Sequence, residues 1–319
     1  MNNLLVSVIV PTIGRPDSLR RMLQSLADQN YKSIEVLVAD GSSTNETESV
    51  TDDSCWQQAC LAITRIPVSP PNAVRQRQVA IKQARGEFLL LLDDDVVLES
   101  NCVQAMTDLL RTRTDVVGVF ADFSNQSWPE PTRAWRFYLK LFHRMEPGEW
   151  NGRVIGPLLR FGYNPLPKEP MPIEWIGTCN TMIRHSAYEQ SGGFSNFFLH
   201  RCTMNEDVDL GLKLAKVGSI LFCPEARMAH YHAPGGRVRP AFVAEDDLYN
   251  RFLVLHCTLG KSKFRALALV LLFFAVETLS TVYWSVRRLN LKLLLQPMLG
   301  RTRALLRIFP MLFQKLNFK

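Results

Sequence analysis

The feature that most constrains this chain is a regular alternation of strand-like and helix-like segments in its N-terminal part. The apolar runs 4–10 and 34–39 flank a segment in which Leu19, Met22 and Leu26 recur at helical spacing. A strand, a helix and a second strand of these lengths form a parallel crossover unit. The sequence therefore predicts an α/β fold with a mostly parallel sheet and helices on both faces.

The same alternation continues along the chain. Two further strands are predicted at 61–68 and 87–92, with a helix at 73–85 between them. The stretch 128–172 is rich in proline, aromatic residues and arginine. We interpret it as a long loop or lid that contains a short helix at 132–142.

Polar residues follow three of the predicted strands. Pro11–Arg15 closes the first strand, Asp40–Ser43 the second, and Asp93–Asp95 the strand at 87–92. In open parallel sheets, ligands bind outside the carboxyl ends of the strands. We therefore expect these clusters, which are separate in sequence, to meet at one edge of the sheet and form the functional site.

Asp93, Asp94 and Asp95 are the strongest local signal for chemistry. Adjacent carboxylates on a rigid strand end repel one another unless a cation neutralises them. Their hard oxygen ligands suit Mg²⁺ or Mn²⁺, and such an ion can hold a diphosphate. The alternative is a solvated acidic turn that caps the next helix, because Asp is favoured at helix N-caps.

A second acidic pair, Glu206 and Asp207, opens a predicted helix that ends at Gly218 and precedes a short strand at 220–222. One of these carboxylates can act as a general base towards a hydroxyl group. Acids at the positive end of a helix are also ordinary capping residues, so both interpretations stay open.

Two other candidates carry a weaker signal. His230 and His232 flank Tyr231, and their imidazoles are either packed side chains or metal ligands. Arg75 and Arg77 lie on the helix before the acidic strand. Each is either solvent-facing or a partner for phosphate charge.

Several short motifs occur in a characteristic order: Val8–Thr12, Val38–Ser43, Arg75 with Ala84–Glu87, Leu92–Asp95, Gly192–Phe194, Glu206–Leu210, and Pro224–Ala226 with His230. In this order and spacing the chain resembles the family 2 glycosyltransferases over about residues 5–235. The resemblance implies an inverting enzyme with the GT-A fold, which is a Rossmann-like, nucleotide-binding mixed sheet flanked by helices. The type it resembles assembles bacterial surface polysaccharides.

The resemblance also implies a role for each matching residue. Asp95 would be the main metal ligand, with Asp93 and His230 beside it, and Asp207 would be the catalytic base, with Glu206 next to it. The nucleotide-sugar pocket would be lined by residues of the strand ends and the following helix, namely Pro11, Thr12, Arg15, Asp40, Ser42, Arg75, Asp93 and Asp94. The acceptor side would be walled by Trp175, Gly177 and Asn180.

The implied reaction is a direct displacement that uses Mg²⁺ or Mn²⁺. Asp207 would deprotonate an acceptor hydroxyl, and the metal and Arg75 would offset charge on the departing diphosphate. Two departures from the family pattern matter. Where the family often has Arg-Asn-x-Gly, this chain has Arg75–Gln78, which leaves a close backbone approach at Gln78 in question. The Gln-x-x-Arg-Trp signature of processive synthases is absent after residue 207, which favours transfer of a single sugar.

The C-terminal region differs in composition from the rest. Residues 261–319 contain eleven Lys and Arg but one acid, Glu277, and they include the apolar stretch 266–286. That stretch is an interfacial helix, a membrane span or a buried core helix. The interfacial interpretation is favoured because Glu277 is costly inside a bilayer and the basic residues suit anionic headgroups. Nucleic acid is not expected, since long aliphatic runs interrupt the basic residues.

The sequence predicts a transferase domain at 1–240 and a helical, membrane-associating region at 241–319. The first is divided into a nucleotide-sugar half, 1–125, and an acceptor half, 126–240. Seven scattered cysteines indicate reduced thiols, and no signal peptide is recognised. We therefore expect a protein on the cytoplasmic side of the inner membrane, bound peripherally or by one weak segment.

The expected partners are a nucleotide-diphosphate sugar, a glycan or lipid-linked acceptor and an anionic membrane surface. Two other functions stay open at this point. A metal-dependent nucleotidyltransferase would share the sheet and its acidic strand end but attack phosphorus, and a scaffold would bind glycan or lipid without turnover. The presence of both Asp95 and Asp207 argues against the scaffold. The donor sugar, the linkage and the oligomeric state are left open.

Overall fold

The computed structural model describes residues 4–127, 130–157, 159–160, 167–199, 203–232 and 239–315. Parts of the predicted loop 128–172 lie outside these ranges. The described strands and helices, in chain order, are β1 Val6–Thr12, α1 Pro16–Ala27, β2 Ile34–Asp40, α2 Glu46–Thr51, α3 Cys55–Gln58, β3 Ala62–Pro67, α4 Ala73–Ile81, β4 Phe88–Leu92, β5 Val96–Leu98, α5 Cys102–Thr112, β6 Val116–Phe123, α6 Arg133–His143, β7 Val154–Ile155, β8 Leu159–Arg160, β9 Met171–Ile173, β10 Asn180–Arg184, α7 His185–Gln190, α8 Glu206–Leu214, β11 Ser219–His230, α9 Pro240–Leu253, α10 Lys263–Arg287 and α11 Lys292–Met311.

Among the described residues, nine strands form one mixed sheet in the order β3-β2-β1-β4-β10-β6-β11-β5, with β9 also paired to β11. The N-terminal strands β1, β2, β3 and β4 are all parallel, as the alternating pattern predicts. Strand β10 runs antiparallel between β4 and β6, and β11 is parallel to β6 but antiparallel to β5 and β9. The prediction of a mostly parallel sheet thus applies only to the N-terminal half.

The centre of the sheet is apolar on both faces. All five residues of β4 are fully buried, as expected for a strand covered by helices on both sides. Helix α1 begins at Pro16 and packs its stripe of Leu19, Met22, Leu23 and Leu26 inward, which confirms the helical spacing. This core holds the carboxyl ends of β1, β2 and β4 in fixed positions.

Two predicted elements have different lengths in the structure. Helix α4 ends at Ile81, four residues before the predicted end. Strand β11 extends to His230, although the sequence predicted only 220–222. An irregularity between Cys223 and Arg227 interrupts its pairing with β6, and beyond it the strand resumes and pairs with β5. Bulges of this kind hide a long strand from a pattern of period two.

The described residues fall into two compact units. The first takes in the described parts of 1–127, 166–194 and 210–236 and contains the nine-stranded sheet. The second takes in the described parts of 128–165, 195–209 and 237–319, and its main helices are α6, α9, α10 and α11. The sequence-based division at residue 240 stays a prediction.

In the second unit, α9 and α11 pack closely together. Gly300 lies so near the backbone of Ala241 that a side chain at this position would collide with it. Arg307 donates to the carboxylates of Glu245 and Asp246, at 3.0 Å each, and its guanidinium lies 3.8 Å from the ring centroid of Tyr249. These contacts attach the basic C-terminal helix to α9.

A buried carboxylate joins the starts of β1, β2 and β4 in the first unit. Glu35 accepts hydrogen bonds from Ser7 Oγ at 2.6 Å, from the backbone N of Arg85 and from the Arg85 guanidinium. Gly86 passes so close that a Cβ there would lie 2.6 Å from the Ser7 nitrogen. Burial raises the pKa of the Glu35 carboxyl, but these hydrogen bonds outweigh it, so that its pKa is below the ordinary value.

We predict that Glu35→Gln makes the protein about 1–3 kcal/mol less stable at pH 7, because the buried Ser7 hydroxyl and the nitrogens of Arg85 lose a charged acceptor. The lowered pKa means that this contribution is present above the unfolded-state pKa and is lost as the pH falls through the folded-state pKa. Urea unfolding at pH 7 and at a pH below the ordinary pKa of a glutamate measures it. The exposed neighbour Glu87→Gln is the matched control, and an equal loss in both variants would contradict the assignment.

Candidate active site

Three strand ends meet at one edge of the first unit, as the sequence predicts. Pro11 and Thr12 end β1 beside Ala39 and Asp40, which end β2. The Thr12 hydroxyl donates to Asp94 Oδ2 at 2.6 Å, and this buried bond joins the end of β1 to the acidic residues that follow β4. The parallel arrangement of β1, β2 and β4 therefore brings the separate polar clusters together.

Each of the three aspartates has a cationic side chain or an imidazole beside it. Arg77 donates to Asp93 Oδ1 at 2.5 Å, and Arg15 donates to Asp94 Oδ1 at 3.2 Å. Asp95 Oδ1 lies 3.1 Å from Nε2 of His230. The protein itself thus offsets much of the repulsion that adjacent carboxylates experience at a strand end.

The Asp94 carboxyl is the most strongly perturbed of the three. Burial raises its pKa to about 6, although the hydrogen bond from Thr12 and the charge of Arg15 act in the opposite direction. Only 3% of the residue is exposed. The protein, rather than solvent, surrounds this carboxyl group. Clustered carboxyl groups with perturbed pKa values are typical of functional sites.

His230 joins the three aspartates from the C-terminal end of β11. It is the last residue of β11, where it pairs with Val96, and the nitrogen of Tyr231 donates to the carbonyl of Asp95 at 3.0 Å. Burial lowers the pKa of the imidazole, but the neighbouring carboxylates, Asp95 first among them, outweigh burial and raise it overall.

The second histidine, His232, lies just beyond the end of β11 in a left-handed backbone conformation. His232 has φ of +49°, and its ring centroid lies 4.1 Å from that of His230. Its Nε2 is 3.0 Å from Nε2 of Gln126. The two imidazoles are therefore close, but only His230 is grouped with the acidic cluster.

The donor atoms of Asp93, Asp95 and His230 all lie within 4.8 Å of one another. Two carboxylate oxygens and an imidazole nitrogen form a mixed O and N set, which suits Mn²⁺ and is also compatible with Mg²⁺. The sheet brings the carboxylates from the end of β4 and the imidazole from the end of β11 together. The residues present thus fit a divalent cation, as the sequence predicts.

Asp40 and Ser42 form the second part of the site. Asp40 is 3% exposed; its Oδ1 accepts from the Ser42 nitrogen at 2.9 Å, and its Oδ2 accepts from Arg65 at 3.4 Å. The Ser42 hydroxyl accepts from the Gly14 nitrogen at 2.8 Å. These bonds join the loop after β2 to the loop after β1.

Arg75 lies in the first turn of α4. Its backbone nitrogen donates to the capping side chain of Asn72, which fixes the start of the helix. The guanidinium is half-buried, and its buried Nε has no hydrogen-bond partner among the described residues. A positive group with an unused donor is in keeping with a role towards an anion.

Gln76 is a residue whose importance the sequence did not indicate. Its amide donates to the carbonyls of Thr12 at 2.9 Å and Ala39 at 2.7 Å, and the side chain is buried. It thus joins the ends of β1 and β2. The sequence does not distinguish a solvent-facing Arg77 from a buried one; the residue is 2% exposed and bound to Asp93. Contact partners distant in the chain decide both roles, and a single sequence does not display them.

The predicted acceptor-side residues belong to the interior of the first unit. Trp175 is 2% exposed and packs edge-to-face on Phe120 with ring centroids 5.0 Å apart. Asn180 is fully buried and donates to the carbonyl of Ala121 at 2.7 Å, while a Cβ on Gly177 would collide with Asn180. Their assignment to the acceptor side stays a prediction.

Glu206 and Asp207 belong to the second unit, in the first turn of α8, and both are half-buried. Asp207 Oδ1 accepts from the Val208 nitrogen at 2.8 Å. The fully buried Asp209 accepts from the hydroxyls of Ser195 and Thr258. This buried carboxylate holds the first turn of the helix against two neighbouring segments of the same unit.

A family model described as "Glycosyl transferase family 2" matches residues 7–190. The chain belongs to glycosyl transferase family 2. The match covers more than half of the chain and includes β1, β2, β4 and the three aspartates after β4. The resemblance noted from the sequence motifs is thereby confirmed, and the protein is a glycosyltransferase.

The chain is similar to curated bacterial proteins, one of them named for O-antigen biosynthesis and one named as an L-rhamnosyltransferase. The chain is 28% identical over 243 residues to "O-antigen biosynthesis protein RfbC" of Myxococcus xanthus, which covers 73% of this chain but only 18% of that protein's length. It is 23% identical over 252 residues to an N-acetylglucosaminyl-diphospho-decaprenol L-rhamnosyltransferase of Mycobacterium tuberculosis, which covers 72% of this chain and 76% of that one.

The fold of this glycosyltransferase also matches a solved structure. The mannosyltransferase PcManGT of Pyrobaculum calidifontis, in complex with GDP-Man and Mn²⁺, superimposes with a TM-score of 0.56 at 16% identity, covering 97% of this chain and 88% of that one. At this identity the likeness establishes the fold alone. The predicted GT-A fold, a mixed sheet flanked by helices, is confirmed.

We predict that Gln76→Leu destabilises the enzyme by about 1–3 kcal/mol, because the carbonyls of Thr12 and Ala39 both lose a buried donor, although the Thr12 carbonyl keeps the bond from the Gly41 nitrogen. The midpoint of urea unfolding measures the loss. Gln83→Leu, an exposed change just past the same helix, is the control and should stay within about 0.5 kcal/mol of the native protein. Equal effects of the two variants would mean that Gln76 does not join the strands.

We predict that the native protein binds Mn²⁺ and that Asp95→Asn weakens this binding at least tenfold (~1.4 kcal/mol), because the substitution removes a charged ligand. Electron paramagnetic resonance of free Mn²⁺ during titration gives the affinity directly. Glu99→Gln, an exposed acid after β5, is the control and should bind as the native protein does. Unchanged affinity in Asp95→Asn would exclude Asp95 as a ligand.

Proposed function

We propose that this enzyme transfers one sugar from a nucleotide-diphosphate sugar to a hydroxyl group of a glycan or lipid-linked acceptor, in the biosynthesis of cell-surface polysaccharide. The observation that carries the proposal is the cluster at the strand ends. Carboxylates of Asp93 and Asp95 and the imidazole of His230 converge there, next to the Thr12–Asp94 bond and the Arg15 guanidinium. Membership of the family supports the reaction class.

In this proposal the donor binds over the carboxyl ends of β1, β2 and β4. Asp40 is held at the end of β2 by Ser42 and Arg65, and we assign it to the nucleotide base. Pro11, Thr12 and Arg15 would line the pocket from the β1 side. Arg75, whose Nε has no hydrogen-bond partner in the described part of the chain, is assigned to the diphosphate. Asp93 and Asp94 complete the pocket.

We propose Asp95, Asp93 and His230 as the ligands of a divalent cation, Mg²⁺ or Mn²⁺. When bound, such an ion supplies Lewis-acid stabilisation of the negative charge on a diphosphate leaving group. Arg77 keeps Asp93 in place, and Arg15 does the same for Asp94. PcManGT, whose structure holds GDP-Man and Mn²⁺ together, supports this pairing of donor and ion.

We assign the catalytic base to Asp207, with Glu206 beside it. Asp207 would remove the proton from the acceptor hydroxyl as the oxygen attacks the anomeric carbon. The bond from the anomeric carbon to the diphosphate oxygen breaks as the new bond forms, so the configuration inverts. The Val208 nitrogen donates to Asp207 Oδ1 at 2.8 Å, which orients the carboxylate at the start of α8.

The C-terminal helices support a lipid-linked acceptor on the cytoplasmic side of a membrane. Helix α10 is long and apolar enough to cross a membrane by length and composition. The Mycobacterium tuberculosis relative is named for a decaprenyl-diphosphate-linked sugar, and the Myxococcus xanthus relative for O-antigen biosynthesis. Both names support an acceptor held at a membrane.

We predict that Asp207→Asn lowers turnover at least a hundredfold, because the amide cannot accept the acceptor proton, while donor affinity changes less than threefold. Release of nucleoside diphosphate with Mn²⁺ and acceptor measures turnover, and calorimetry with the donor measures affinity. Glu189→Gln, an exposed acid on α7, should leave both quantities unchanged. If Asp207→Asn lowers donor affinity as much as it lowers turnover, Asp207 is not the catalytic base.

The donor class is tested by a panel of UDP-, GDP- and dTDP-sugars with Mn²⁺. Release of nucleoside diphosphate supports glycosyl transfer. Release of pyrophosphate from a nucleoside triphosphate would instead identify a nucleotidyltransferase, which attacks phosphorus. Binding without release of either product would leave a binding scaffold and contradict the proposed function.

A further inference from the structure

The exposed face of α10 is apolar. Seven of its exposed positions recur at steps of three and four residues, which places them on one side of the helix. They are Phe264, Ala268, Leu271, Ala275, Leu279, Val282 and Val286. Leu279 and Val286 are 65% and 68% exposed. A helix on the surface of a water-soluble domain carries polar residues at such positions.

The opposite face of the same helix is the more polar one. Its inward positions begin with the apolar Ala266, Val270 and Phe273. Towards the C-terminal end they continue with Glu277 and Thr281, which are half-buried, and Ser285, which is buried. Over residues 277–286 the distribution is thus the reverse of that of an ordinary surface helix, because Glu277, Thr281 and Ser285 face the protein while Leu279, Val282 and Val286 face outward.

Glu277 has partners inside the second unit. Its Oε1 accepts from Trp135 Nε1 of α6 at 2.8 Å, and its Oε2 lies 3.8 Å from the Arg301 guanidinium of α11. Arg301 also donates to the Thr281 hydroxyl at 3.3 Å. The acidic residue that makes a membrane span unfavourable is therefore used to join three helices.

This arrangement distinguishes the three interpretations of the apolar stretch. A core helix would cover its large aliphatic side chains, yet Leu271, Leu279 and Val286 are exposed. A spanning helix would have to take Glu277 and its partner Arg301 into the bilayer or give up their contacts, and both are costly. A helix lying in the interface keeps these contacts and places its aliphatic face in lipid.

Two neighbouring helices add to the exposed apolar surface. On α11 the exposed side chains include Leu295, Leu306 and Phe309, each more than 60% exposed. On α6, Phe137 and Phe142 are 68% and 66% exposed. The sequence predicts membrane contact only for residues 241–319, but α6 belongs to the same unit and packs on α10 through Trp135 and Phe273.

The exposed charges of these helices favour one kind of partner. The exposed basic residues include Arg265, Arg287, Arg288, Lys292 and Arg303 on or beside α10 and α11, and Arg133, Arg136, Lys140 and Arg144 on or beside α6. From residue 261 to the end of the chain the only acid in the sequence is Glu277, which points inward. Basic and aromatic side chains around an aliphatic face suit anionic lipid headgroups over acyl chains.

We propose that α6, α10 and α11 together form the membrane-binding surface of this enzyme, with α10 lying along an anionic bilayer rather than crossing it. The proposal deepens the membrane localisation of the proposed function and names the lipid surface and the orientation of the helix. The proposal concerns membrane binding alone, so vesicle measurements without donor or acceptor test it. A failure of the proposed transfer reaction would not change the result of these binding measurements.

The orientation of α10 is tested with the full-length chain. A nitroxide-bearing amino acid is introduced by codon suppression at Leu271, Leu279 or Val286, and at the exposed Lys82 of the first unit as a control. Depth is measured by electron paramagnetic resonance on vesicles of phosphatidylcholine and phosphatidylglycerol. Leu271 and Val286 are about 22 Å apart along a helix axis, so a spanning helix places them at very different depths.

We expect the three α10 labels to share one shallow depth and the Lys82 label to stay in water. Depths that change steadily from Leu271 to Val286 would identify a span and overturn the proposal. Water exposure of all three labels on bound vesicles, or absence of vesicle binding, would overturn it as well.

The contribution of α6 is tested by Phe137→Ser combined with Phe142→Ser. Removing two exposed aromatic side chains from lipid should weaken partitioning onto the same vesicles by about tenfold or more. Gln57→Ser combined with Gln83→Ser, at exposed positions of the first unit, should bind as the native chain does. Circular dichroism confirms the fold of both variants. If the α6 variant partitions onto the vesicles as strongly as the native chain, α6 does not belong to the membrane-binding surface.

The contribution of the basic residues to membrane binding is tested by a matched pair of charge reversals. Arg288→Glu, at the end of α10, should weaken binding to vesicles that contain phosphatidylglycerol and change little on phosphatidylcholine alone. Lys82→Glu has the same change in net charge but lies in the first unit. Equal weakening by the two reversals would mean that net charge, rather than this surface, attracts the protein.

Discussion

The candidate site depends on the neutralisation of three adjacent carboxylates at the end of one buried strand. Asp93, Asp94 and Asp95 follow β4, and three different segments supply their partners: Arg77 from α4, Arg15 from the loop after β1, and His230 from the end of β11. Without these partners, the repulsion would disfavour the strand end in a low-dielectric setting. The same contacts leave the oxygen and nitrogen donors of Asp93, Asp95 and His230 close together.

The sheet makes this neutralisation possible. Because β1, β2 and β4 are parallel neighbours, the loops that follow them emerge at one edge, and β11 brings His230 to that edge by pairing with β5. Gln76 fixes the first two strand ends relative to each other. The GT-A fold thus gives a rigid frame for polar side chains that would otherwise be costly to hold together.

Much of this was accessible from the sequence, for identifiable reasons. The strands β1, β2 and β4 are apolar runs followed by polar residues, so the strand–helix alternation revealed both the fold class and the meeting of Thr12, Asp40 and Asp94. The length of β11 was missed because its irregularity after Cys223 breaks the pattern of period two. The roles of Gln76 and Arg77 depend on partners that are distant in the chain, and the inward position of Glu277 depends on α6 and α11. A single sequence does not reveal such pairings.

We propose that the strand-end cluster is the metal and donor site of a glycosyltransferase whose base is Asp207. The most direct measurement is a crystal structure with Mn²⁺ and the nucleotide sugar selected by the donor panel, in which anomalous scattering locates the ion. We expect the ion to be bound by Asp93, Asp95 and His230 and by the diphosphate, and Asp207 to face the anomeric carbon from the side opposite the leaving group. An ion bound elsewhere, or an Asp207 carboxylate turned away from the sugar, would contradict it.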